Sequence, residues 1–305
     1  MTSSSSHLDE IRIALARAVR HVSGFRGTNR IQRWLAPPHL GRRGRRVYEM
    51  DYPIGPNNAA AGIRWLGTTQ HVVGWNAYFR KAYEPETLAT MAALLRPAMR
   101  VIEVGANEGY HTVFAAWCVG NSGVVHAYEP YELARTWIAR NVTRLGWQDR
   151  IRLYATAVAE SPRTAPLYIP NELDENQGVG GLRVSSCLQT GRVQVGVVCL
   201  DAEHENESIG FIKMDVQGGE ADIIRGAARL LRRWKPVLYF EVGDAGAMDA
   251  IRTAQDHGYH VWRVLALRRP PYFTLSSAIS GTWYGNCLAI HSDRVGEFDE
   301  IGVVA

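Results

Sequence analysis

The chain has 305 residues and a formal net charge of +4, which fits one large globular domain or two small ones. Hydrophobic residues make up 46% of the chain and charged residues 21%, and this balance excludes a disordered or a fibrous protein. The mild positive charge does not by itself indicate a nucleic-acid partner, and we expect none.

Cysteine usage and hydropathy bear on where the protein works. The four cysteines are far apart and form no Cys-x-x-Cys or Cys/His ligand pattern, so we expect no disulfide framework, no metal site and a reducing, cytoplasmic environment. No apolar run approaches the roughly 18 residues that span a bilayer, and no signal peptide is recognisable. We therefore expect no stable insertion into a membrane.

The N-terminal part of the chain is irregular. A basic amphipathic helix is predicted over residues 9–19, and we expect it to pack on its own domain or on a partner subunit rather than on a membrane. Residues 24–60 have the composition of a loop. Their arginine run at 42–46 is either a solvated loop or a contact for an anionic substrate or membrane surface. Short strands are predicted within residues 64–78.

From residue 99 onward predicted strands and helices alternate, which is typical of a mostly parallel sheet with helices on both faces. Ligands of such sheets bind at the carboxyl ends of the strands. Residues 160–200, glycine-rich around Gly180, indicate hairpins over one end of the sheet. The predicted strands are Val101–Val104, Val124–Tyr128, Ile151–Tyr154, Phe211–Val216, Val237–Val242, Tyr259–Val264 and Cys287–Ile290, and the predicted helices are Glu84–Leu95, Val113–Val119, Tyr131–Leu145, Glu220–Arg232 and Ala247–His257.

The most informative stretch is residues 101–112, where a β-branched run ends in a glycine turn that leads into a helix. Such a turn presents backbone N–H groups and a helix N-terminus to a ligand. Gly105 and Gly109 permit a tight turn and a close approach of backbone, because a Cβ would block both. Glu129 ends the next predicted strand, where a carboxylate can accept hydrogen bonds from a ribose diol. Together these features indicate an adenosine-type cofactor.

The spacing of the turn distinguishes between adenosine cofactors. A dinucleotide fingerprint reads G-x-G-x-x-G, whereas this chain has Asn107 in place of the second glycine and Glu108 beside the expected pyrophosphate. Both residues argue against NAD and FAD. Glu103, inside the first strand, suits a ligand that carries an amino group and a sulfonium, such as S-adenosylmethionine. The alternative is an ordinary strand-to-helix turn of an α/β protein, which the presence of Glu129 disfavours.

Three charged residues interrupt strands that should be continuously apolar in a parallel sheet. They are Glu103, Lys213 and Glu241. Lys213 and Asp215 are two residues apart and therefore point to the same side of one strand. Because an unpaired buried charge costs roughly several kcal/mol, we expect Lys213 to pair with a neighbouring acid. The cluster is either an internal ion-pair network or a polar floor beneath the methionine end of the cofactor and the acceptor.

These segments resemble the FkbM-type methyltransferases, in the order in which that family carries them. The chain departs from the family pattern at Glu103, where Asp is more frequent, and at Gln217, which replaces a usual Glu. The matching segments are V-I-E-V-G-A-N-E-G-Y at 101–110, Y-E-P at 128–130, C-L-D at 199–201, I-K-M-D-V-Q-G-G-E at 212–220, G-A at 226–227 and F-E-V at 240–242.

The resemblance implies a class I Rossmann-like methyltransferase, with a mostly parallel seven-stranded sheet, helices on both faces and an N-terminal cap. It implies transfer of a methyl group from S-adenosylmethionine, usually to a hydroxyl of a sugar, glycan or secondary metabolite. The methyltransferase domain is predicted over residues 84–292, followed by a tail at 293–305. Residues 1–83 lie outside the family pattern and are predicted to form a substrate-side cap or the contact of a homo-oligomer.

The cofactor is expected to lie across the carboxyl ends of the first three strands of the domain. Glycines of the turn should cradle the methionine moiety, whose carboxylate should lie near the helix N-terminus, and the end of the third strand should border the adenine. The predicted cofactor-binding residues are Glu103, Gly105, Ala106, Asn107, Gly109, Tyr110, Thr112, Glu129, Pro130, Ala157, Val158 and Asp215.

Methyl transfer to a hydroxyl requires in-line alignment and removal of a proton. Asp215 is the predicted base, with Lys213 keeping it ionised. His111 is a second candidate, although an exposed histidine in a first helical turn is more often incidental, and Asp201 and His204 are weaker candidates. A divalent metal at Asp215 is an alternative that no ligand spacing requires.

Two rival functions remain open on the sequence. An N-methyltransferase or RNA methyltransferase would share the fold, but no Asn/Asp-Pro-Pro-aromatic tetrapeptide follows a core strand. The other rival is a non-catalytic cofactor-binding subunit with a decayed site. The intact glycine turn and acidic residues argue against it.

Overall fold

The computed structural model describes residues 11–12, 14–16, 18, 34–35, 47–55, 62–170, 182, 189–243, 247–267, 273–277 and 284–301. The strands are β1 Val47–Asp51, β2 Arg64–Thr68, β3 Arg100–Val104, β4 Val124–Tyr128, β5 Ile151–Tyr154, β6 Ala157–Val158, β7 Arg163–Pro170, β8 Gln189–Val198, β9 Ile209–Met214, β10 Val237–Val242, β11 Tyr259–Ala266, β12 Phe273–Ser276 and β13 Gly285–His291. The helices are α1 Val72–Arg80, α2 Pro85–Leu94, α3 Tyr110–Val119, α4 Glu132–Leu145, α5 Leu200–His204, α6 Glu220–Arg225, α7 Ala228–Trp234 and α8 Ala247–Asp256, and a 3-10 helix covers Ser292–Ile301.

An eight-stranded sheet forms the centre of the fold, in the order β12-β11-β13-β10-β9-β3-β4-β5. The five strands from β10 to β5 are parallel, whereas β13 runs antiparallel between β10 and β11. The Rossmann-like methyltransferase fold is thereby confirmed. The sheet has one strand more than the predicted seven, because β12 pairs antiparallel with β11 and extends the edge.

Apolar residues of the central strands pack into two cores, one on each face of the sheet. Val101 contributes to the core that holds Phe114 of α3, and Ile102 to the core that holds Leu230 of α7. This division follows from strand geometry, because successive side chains point to opposite faces. Both faces are therefore covered by helices, as parallel sheets require.

The described part of residues 1–83 packs on the α3 face of the sheet. The hydroxyl of Tyr52 donates a hydrogen bond to the carbonyl oxygen of Tyr110 at 2.6 Å, and the ring of Trp65 meets that of Tyr110 edge-on at 5.2 Å. Both Tyr52 and Trp65 are fully buried. The arginine run at 42–46 and the glycines around Gly180 lie outside the described residues.

Two predicted elements are wrong. Residues 72–80 form α1 instead of a strand, because Gly74 packs its backbone against β2, where a Cβ would lie 2.0 Å from the carbonyl oxygen of Thr68. The predicted helix Glu220–Arg232 is two helices, α6 and α7, interrupted at Gly226 and Ala227. At Gly226 the chain passes close to the backbone after β6, and a Cβ would lie 2.5 Å from the carbonyl oxygen of Ala159.

None of the helices that the structure describes is both long enough and apolar enough to cross a lipid bilayer.

Candidate active site

A cleft of about 1020 Å³ lies at the carboxyl ends of β3, β4 and β9. Its wall includes Gly105, Asn107, Glu129 and Asp215 from the strand ends. The small sheet formed by β6, β8 and β7 adds Ala157, Val158, Arg163, Leu167, Tyr168 and Ile169 to the wall. The predicted hairpin over one end of the sheet is therefore present as β7 and β8, and it helps to enclose the cleft.

The turn after β3 is held against both neighbouring strands. The backbone N–H groups of Gly105 and Ala106 donate to the carbonyl oxygen of Tyr128 at 3.0 and 3.1 Å. Gly105 has φ 80°, and a Cβ there would lie 2.0 Å from the carbonyl oxygen of Asp215. Only glycine allows both this conformation and this close approach. The turn thus brings the ends of β3, β4 and β9 to one place.

Glu129 is held by backbone donors at the end of β4. Its two carboxylate oxygens accept hydrogen bonds from the N–H groups of Asn107, at 2.7 Å, and Tyr131, at 2.8 Å. The side chain is only 8% exposed, and this burial raises its pKa to about 7. A carboxylate in this position retains lone pairs for further donors from a ligand.

The cleft fits an adenosine cofactor. Besides the Glu129 carboxylate, it holds Asn107, whose buried amide oxygen has no hydrogen-bond partner among the described residues. Buried acceptors of this kind are normally satisfied, so both groups can receive hydroxyl or amino donors of a ligand. Gly105 leaves its backbone open to close approach, and Ala157 and Val158 supply apolar surface of the kind that adenine contacts.

Lys213 lies at the centre of a buried charge cluster beneath the cleft. Its ammonium group is 3.7 Å from Glu103 Oε1 and 3.4 Å from Asp215 Oδ2. Lys213 and Glu103 are 3% and 2% exposed, and they face each other because β3 and β9 pair in register. The hydroxyl of Thr112 donates a hydrogen bond to Glu103 Oε2 at 2.6 Å. Burial alone would lower the pKa of Lys213, but the carboxylates of Asp215, Glu103 and Glu84 raise it above its usual value.

Two further carboxylates border Asp215. One of them is Glu241. Gln217 Nε2 donates to Asp215 Oδ1 at 3.3 Å and to Glu241 Oε2 at 3.0 Å, and so bridges Asp215 and Glu241. Burial, followed by the charge of Asp215, raises the pKa of Glu241 to about 8 and that of Glu84 to about 7. Gln217 replaces a usual family Glu, and in this chain it supplies an N–H donor where a further carboxyl group would otherwise lie.

Sequence reasoning missed Glu84. It immediately precedes α2 and adopts a left-handed backbone, with φ 44°, which is uncommon for a residue with a side chain. Its Oε2 accepts a hydrogen bond from Thr87 Oγ1 at 3.1 Å and lies 3.7 Å from His111 Nε2. The only sequence signal is an acidic residue directly before the proline that begins a helix.

Several predicted cofactor contacts do not border the cleft. Tyr110 and Thr112 are buried at the start of α3, where Tyr110 packs against the N-terminal aromatic residues and Thr112 binds Glu103. Gly109 serves packing, since a Cβ there would lie 2.9 Å from the Ile138 side chain. The cleft wall includes Gly105, Asn107, Glu129, Pro130, Ala157, Val158 and Asp215 but not Glu103, Ala106, Gly109, Tyr110 or Thr112.

Two local expectations about this loop are wrong. His111 is buried, at 5% exposure, rather than exposed, and burial together with Lys213 lowers its pKa well below the usual value. The Glu108 side chain is directed away from the cleft and contacts His71, because α1 and the turn before it pack behind the loop. Glu108 therefore places no charge beside a bound phosphate, and its use as evidence against NAD fails.

The weaker base candidates have structural partners. Asp201 accepts hydrogen bonds from the backbone N–H groups of Arg229, at 3.0 Å, and Leu230, at 2.8 Å, and thereby caps the N-terminus of α7. His204 Nε2 is 2.6 Å from the hydroxyl of Tyr128. Neither Asp201 nor His204 borders the cleft.

The acidic cluster predicts a loss of stability at alkaline pH. Folded pKa values of about 7 for Glu84 and about 8 for Glu241 exceed the unfolded value, so their stabilising effect is lost as pH rises through these values. Above about pH 6.5 the histidines of the unfolded chain are mostly neutral, so they contribute little to the pH dependence of the free energy of unfolding. We expect these two groups to lower the free energy of unfolding by about 2–3 kcal/mol from there to about pH 8.5, and Glu129, whose pKa is also about 7, to add to the fall, as measured by urea denaturation.

The Glu241→Gln variant provides the control for this pH dependence. It removes the group with the higher pKa and keeps the volume, so the upper part of the slope should flatten. An unchanged slope in the variant would contradict the assignment to Glu241.

Comparisons with known proteins place the chain in a family. A family model described as "Methyltransferase FkbM domain" matches residues 103–261, just over half of the chain. This range includes Glu103, Glu129, Lys213, Asp215 and Glu241. A protein-L-isoaspartate O-methyltransferase of Pyrobaculum islandicum is 28% identical over 117 residues, covering 33% of this chain and 55% of that protein.

A tRNA (adenine(58)-N(1))-methyltransferase of Thermus thermophilus is 36% identical over 95 residues, covering 30% of this chain and 36% of that protein. The chain thus spans about half the length of the first of these relatives and about a third of the second. The crystal structure of methyltransferase FkbM from Methylobacillus flagellatus KT is 16% identical, with a TM-score of 0.42 and coverage of 71% of this chain and 52% of that chain. From the family match, the chain belongs to the FkbM family of S-adenosylmethionine-dependent methyltransferases.

Proposed function

We propose that this protein is an O-methyltransferase that acts on a hydroxyl of a sugar, glycan or secondary metabolite. The observation that supports this most is Asp215, a carboxylate in the cleft wall whose side chain is 27% exposed and which Lys213 holds from below. S-adenosylmethionine supplies a methyl group on a sulfonium that is ready to leave. The chain must therefore align the acceptor oxygen and take its proton.

Asp215 is the proposed base. Hydrogen bonds from Lys213 and Gln217 orient its two oxygens. Glu241, bridged to Asp215 through Gln217, has a pKa of about 8. Below that pH Glu241 already carries a proton, so the negative charge of the pair lies on Asp215, which is the group that takes the proton of the acceptor.

The surroundings of Asp215 favour a small or glycan acceptor over RNA. Glu84, Asp215 and Glu241 place three acidic side chains, and no surplus of positive charge, around the ammonium of Lys213. Nucleic-acid sites instead present cations to the phosphate backbone. Residues 1–83 are the proposed substrate-side cap, because they lie outside the matched family region and lead directly into Glu84, which reaches this cluster.

Transfer of a labelled methyl group from S-adenosylmethionine into small-molecule and glycan extracts tests the proposal. We expect label in a compound whose new methyl group has the carbon-13 shift of an O-methyl ether, and none with the Asp215→Asn variant. Label that appears instead in an RNA fraction, or on nitrogen, would replace the O-methyl assignment by one of the rival activities.

Glu129→Ala is expected to weaken binding of S-adenosylmethionine by about 1.5–3 kcal/mol, the range for hydrogen bonds to a charged group. The reason is that the buried carboxylate both receives the ribose hydroxyls and fixes the N–H of Asn107. Calorimetry measures the affinity. Glu132→Ala, the same change at an exposed position three residues along, is the matched control. Unchanged affinity in Glu129→Ala, or tight binding of NAD by the wild type, would contradict the assignment.

A further inference from the structure

Two buried histidines and a carboxylate converge outside the cleft, on the opposite face of the sheet from α3. His126 belongs to β4, His204 ends α5, and Glu207 lies in the turn that leads into β9. Nε2 of His126 is 3.3 Å from Glu207 Oε2, and Nδ1 of His204 is 3.1 Å from Glu207 Oε1. One ligand atom from each of the three residues lies within 4.8 Å of the other two.

The other nitrogen of each histidine ring is held by a tyrosine hydroxyl. Nδ1 of His126 is 3.0 Å from the hydroxyl of Tyr154, and Nε2 of His204 is 2.6 Å from that of Tyr128. An oxygen partner on the outer nitrogen fixes the orientation and the tautomer of a metal-binding imidazole. Without a metal ion, Nδ1–H of His204 can donate to Glu207 Oε1 at 3.1 Å. When an ion binds, each tyrosine hydroxyl can accept the ring proton of the outer nitrogen, which frees the lone pair of the inner nitrogen for the ion.

The inner nitrogen of His126 is unsatisfied. His126 is fully buried in β4. Its Nε2 has no hydrogen-bond partner among the described residues, although the Glu207 carboxylate is 3.3 Å away. A neutral imidazole beside a carboxylate is the form that binds a metal ion. Buried orphan atoms of this kind require an explanation.

The spacing fits zinc. Zinc binds His nitrogen at about 2.0–2.1 Å and carboxylate oxygen at about 2.0–2.2 Å in tetrahedral geometry, which places ligand atoms about 3.3 Å apart. The two histidine nitrogens lie 3.1 and 3.3 Å from the two different oxygens of Glu207, and one ligand atom from each of the three residues lies within 4.8 Å of the others, so each histidine is already within this distance of the carboxylate. Two histidines and one carboxylate leave a fourth position for water, and Glu207, whose side chain is 31% exposed, lies on the solvent side.

We propose that His126, His204 and Glu207 form a zinc site that joins β4 to the segment between α5 and β9. Its role is structural, since a bound ion would tie together elements that are far apart in the sequence, and binding energy then adds to folding stability. Arg100 Nε, 3.7 Å from Glu207 Oε2, competes for the carboxylate and gives way when the ion binds. The site is independent of the methyl-transfer proposal.

Zinc titration of chelator-stripped full-length protein tests the site. We expect one equivalent per chain by calorimetry, a rise in Tm on adding zinc, and, with cobalt in place of zinc, the intense visible absorption of four-coordinate Co²⁺. His126→Gln and Glu207→Gln should each weaken zinc binding more than about tenfold, and Tyr154→Phe, which removes the partner of a ligand, by about 10–100-fold. His260→Gln, at an exposed position, should bind zinc as the wild type does.

Glu207→Gln and Tyr154→Phe keep the proposal testable if the buried histidine variant fails to fold. Both positions are partly exposed, and cooperative melting confirms that each variant is folded. Less than one equivalent of zinc on folded wild type would overturn the proposal. So would a folded Glu207→Gln variant that binds zinc and gains Tm as the wild type does.

Discussion

Asp215→Asn is expected to lower kcat by about 10²–10⁴, the usual contribution of a general base, while the affinity for S-adenosylmethionine stays nearly constant. The amide keeps the shape and can still contact Gln217, but it cannot take a proton from the acceptor. The measurement is labelled methyl transfer at saturating cofactor, with cofactor affinity measured by calorimetry. Asp249→Asn, the same change at an exposed position, should leave both quantities unchanged.

Two other outcomes would assign Asp215 a different role. If Asp215→Asn lowers the free energy of unfolding without a selective loss of kcat, the residue only anchors the turn at Gly218 and Gly219. If a chelator abolishes wild-type activity, Asp215 holds a metal that lowers the pKa of the acceptor hydroxyl. A direct base requires full activity with the chelator present. Zinc at His126 does not interfere with this test, because thermal melting under the same chelator reports its loss separately.

Lys213→Ala is expected to destabilise the protein by about 3–5 kcal/mol, the cost of leaving a buried charge without its partner. The partner is Glu103, which is 2% exposed and retains only the hydrogen bond from Thr112. Urea denaturation measures the loss. The loss should shrink at acidic pH, because Glu103 can then take a proton and become neutral.

Lys213→Met separates lost charge from lost volume. Methionine fills most of the space of the lysine stem, so this variant should be less destabilised than Lys213→Ala. Lys235→Ala removes a lysine from a surface pair with Asp293, whose side chains are 33% and 60% exposed, and should cost less than about 1 kcal/mol. If both Lys213 variants melt like wild type, the buried pair does not stabilise the fold.

Local chemistry in the sequence was sufficient to locate the cleft. The turn at Gly105 could be recognised because only glycine permits its positive φ and its close approach to Asp215. Glu129 could be placed at a strand end by spacing alone, and its carboxylate lines the cleft. The rule that a charge inside a parallel strand needs a partner predicted that Lys213 pairs with a neighbouring acid, and the register of β3 and β9 identifies Glu103 as one such partner.

The local sequence does not determine where the side chains that follow the turn after β3 point. Tyr110 and Thr112 start a helix whose N-terminus faces the cleft, yet their side chains are buried because the N-terminal segment packs over α3. His111 is buried for the same reason. Asp201, a candidate base on the sequence alone, instead caps α7, a helix whose separate existence depends on the close approach of Gly226 to Ala159.

The fold class, the cofactor turn and the acids of the strand ends can be inferred from the chain alone, because periodicity, glycine and buried charge act through neighbours along the chain. The folded structure was needed to bring Glu84 to Asp215, and His126 to the local pair of His204 and Glu207. Glu84 and His126 lie far along the chain from their partners, so no spacing in the sequence marks these contacts. They meet because parallel strands align their ends and the connecting segments return across the sheet, which is a property of the whole fold.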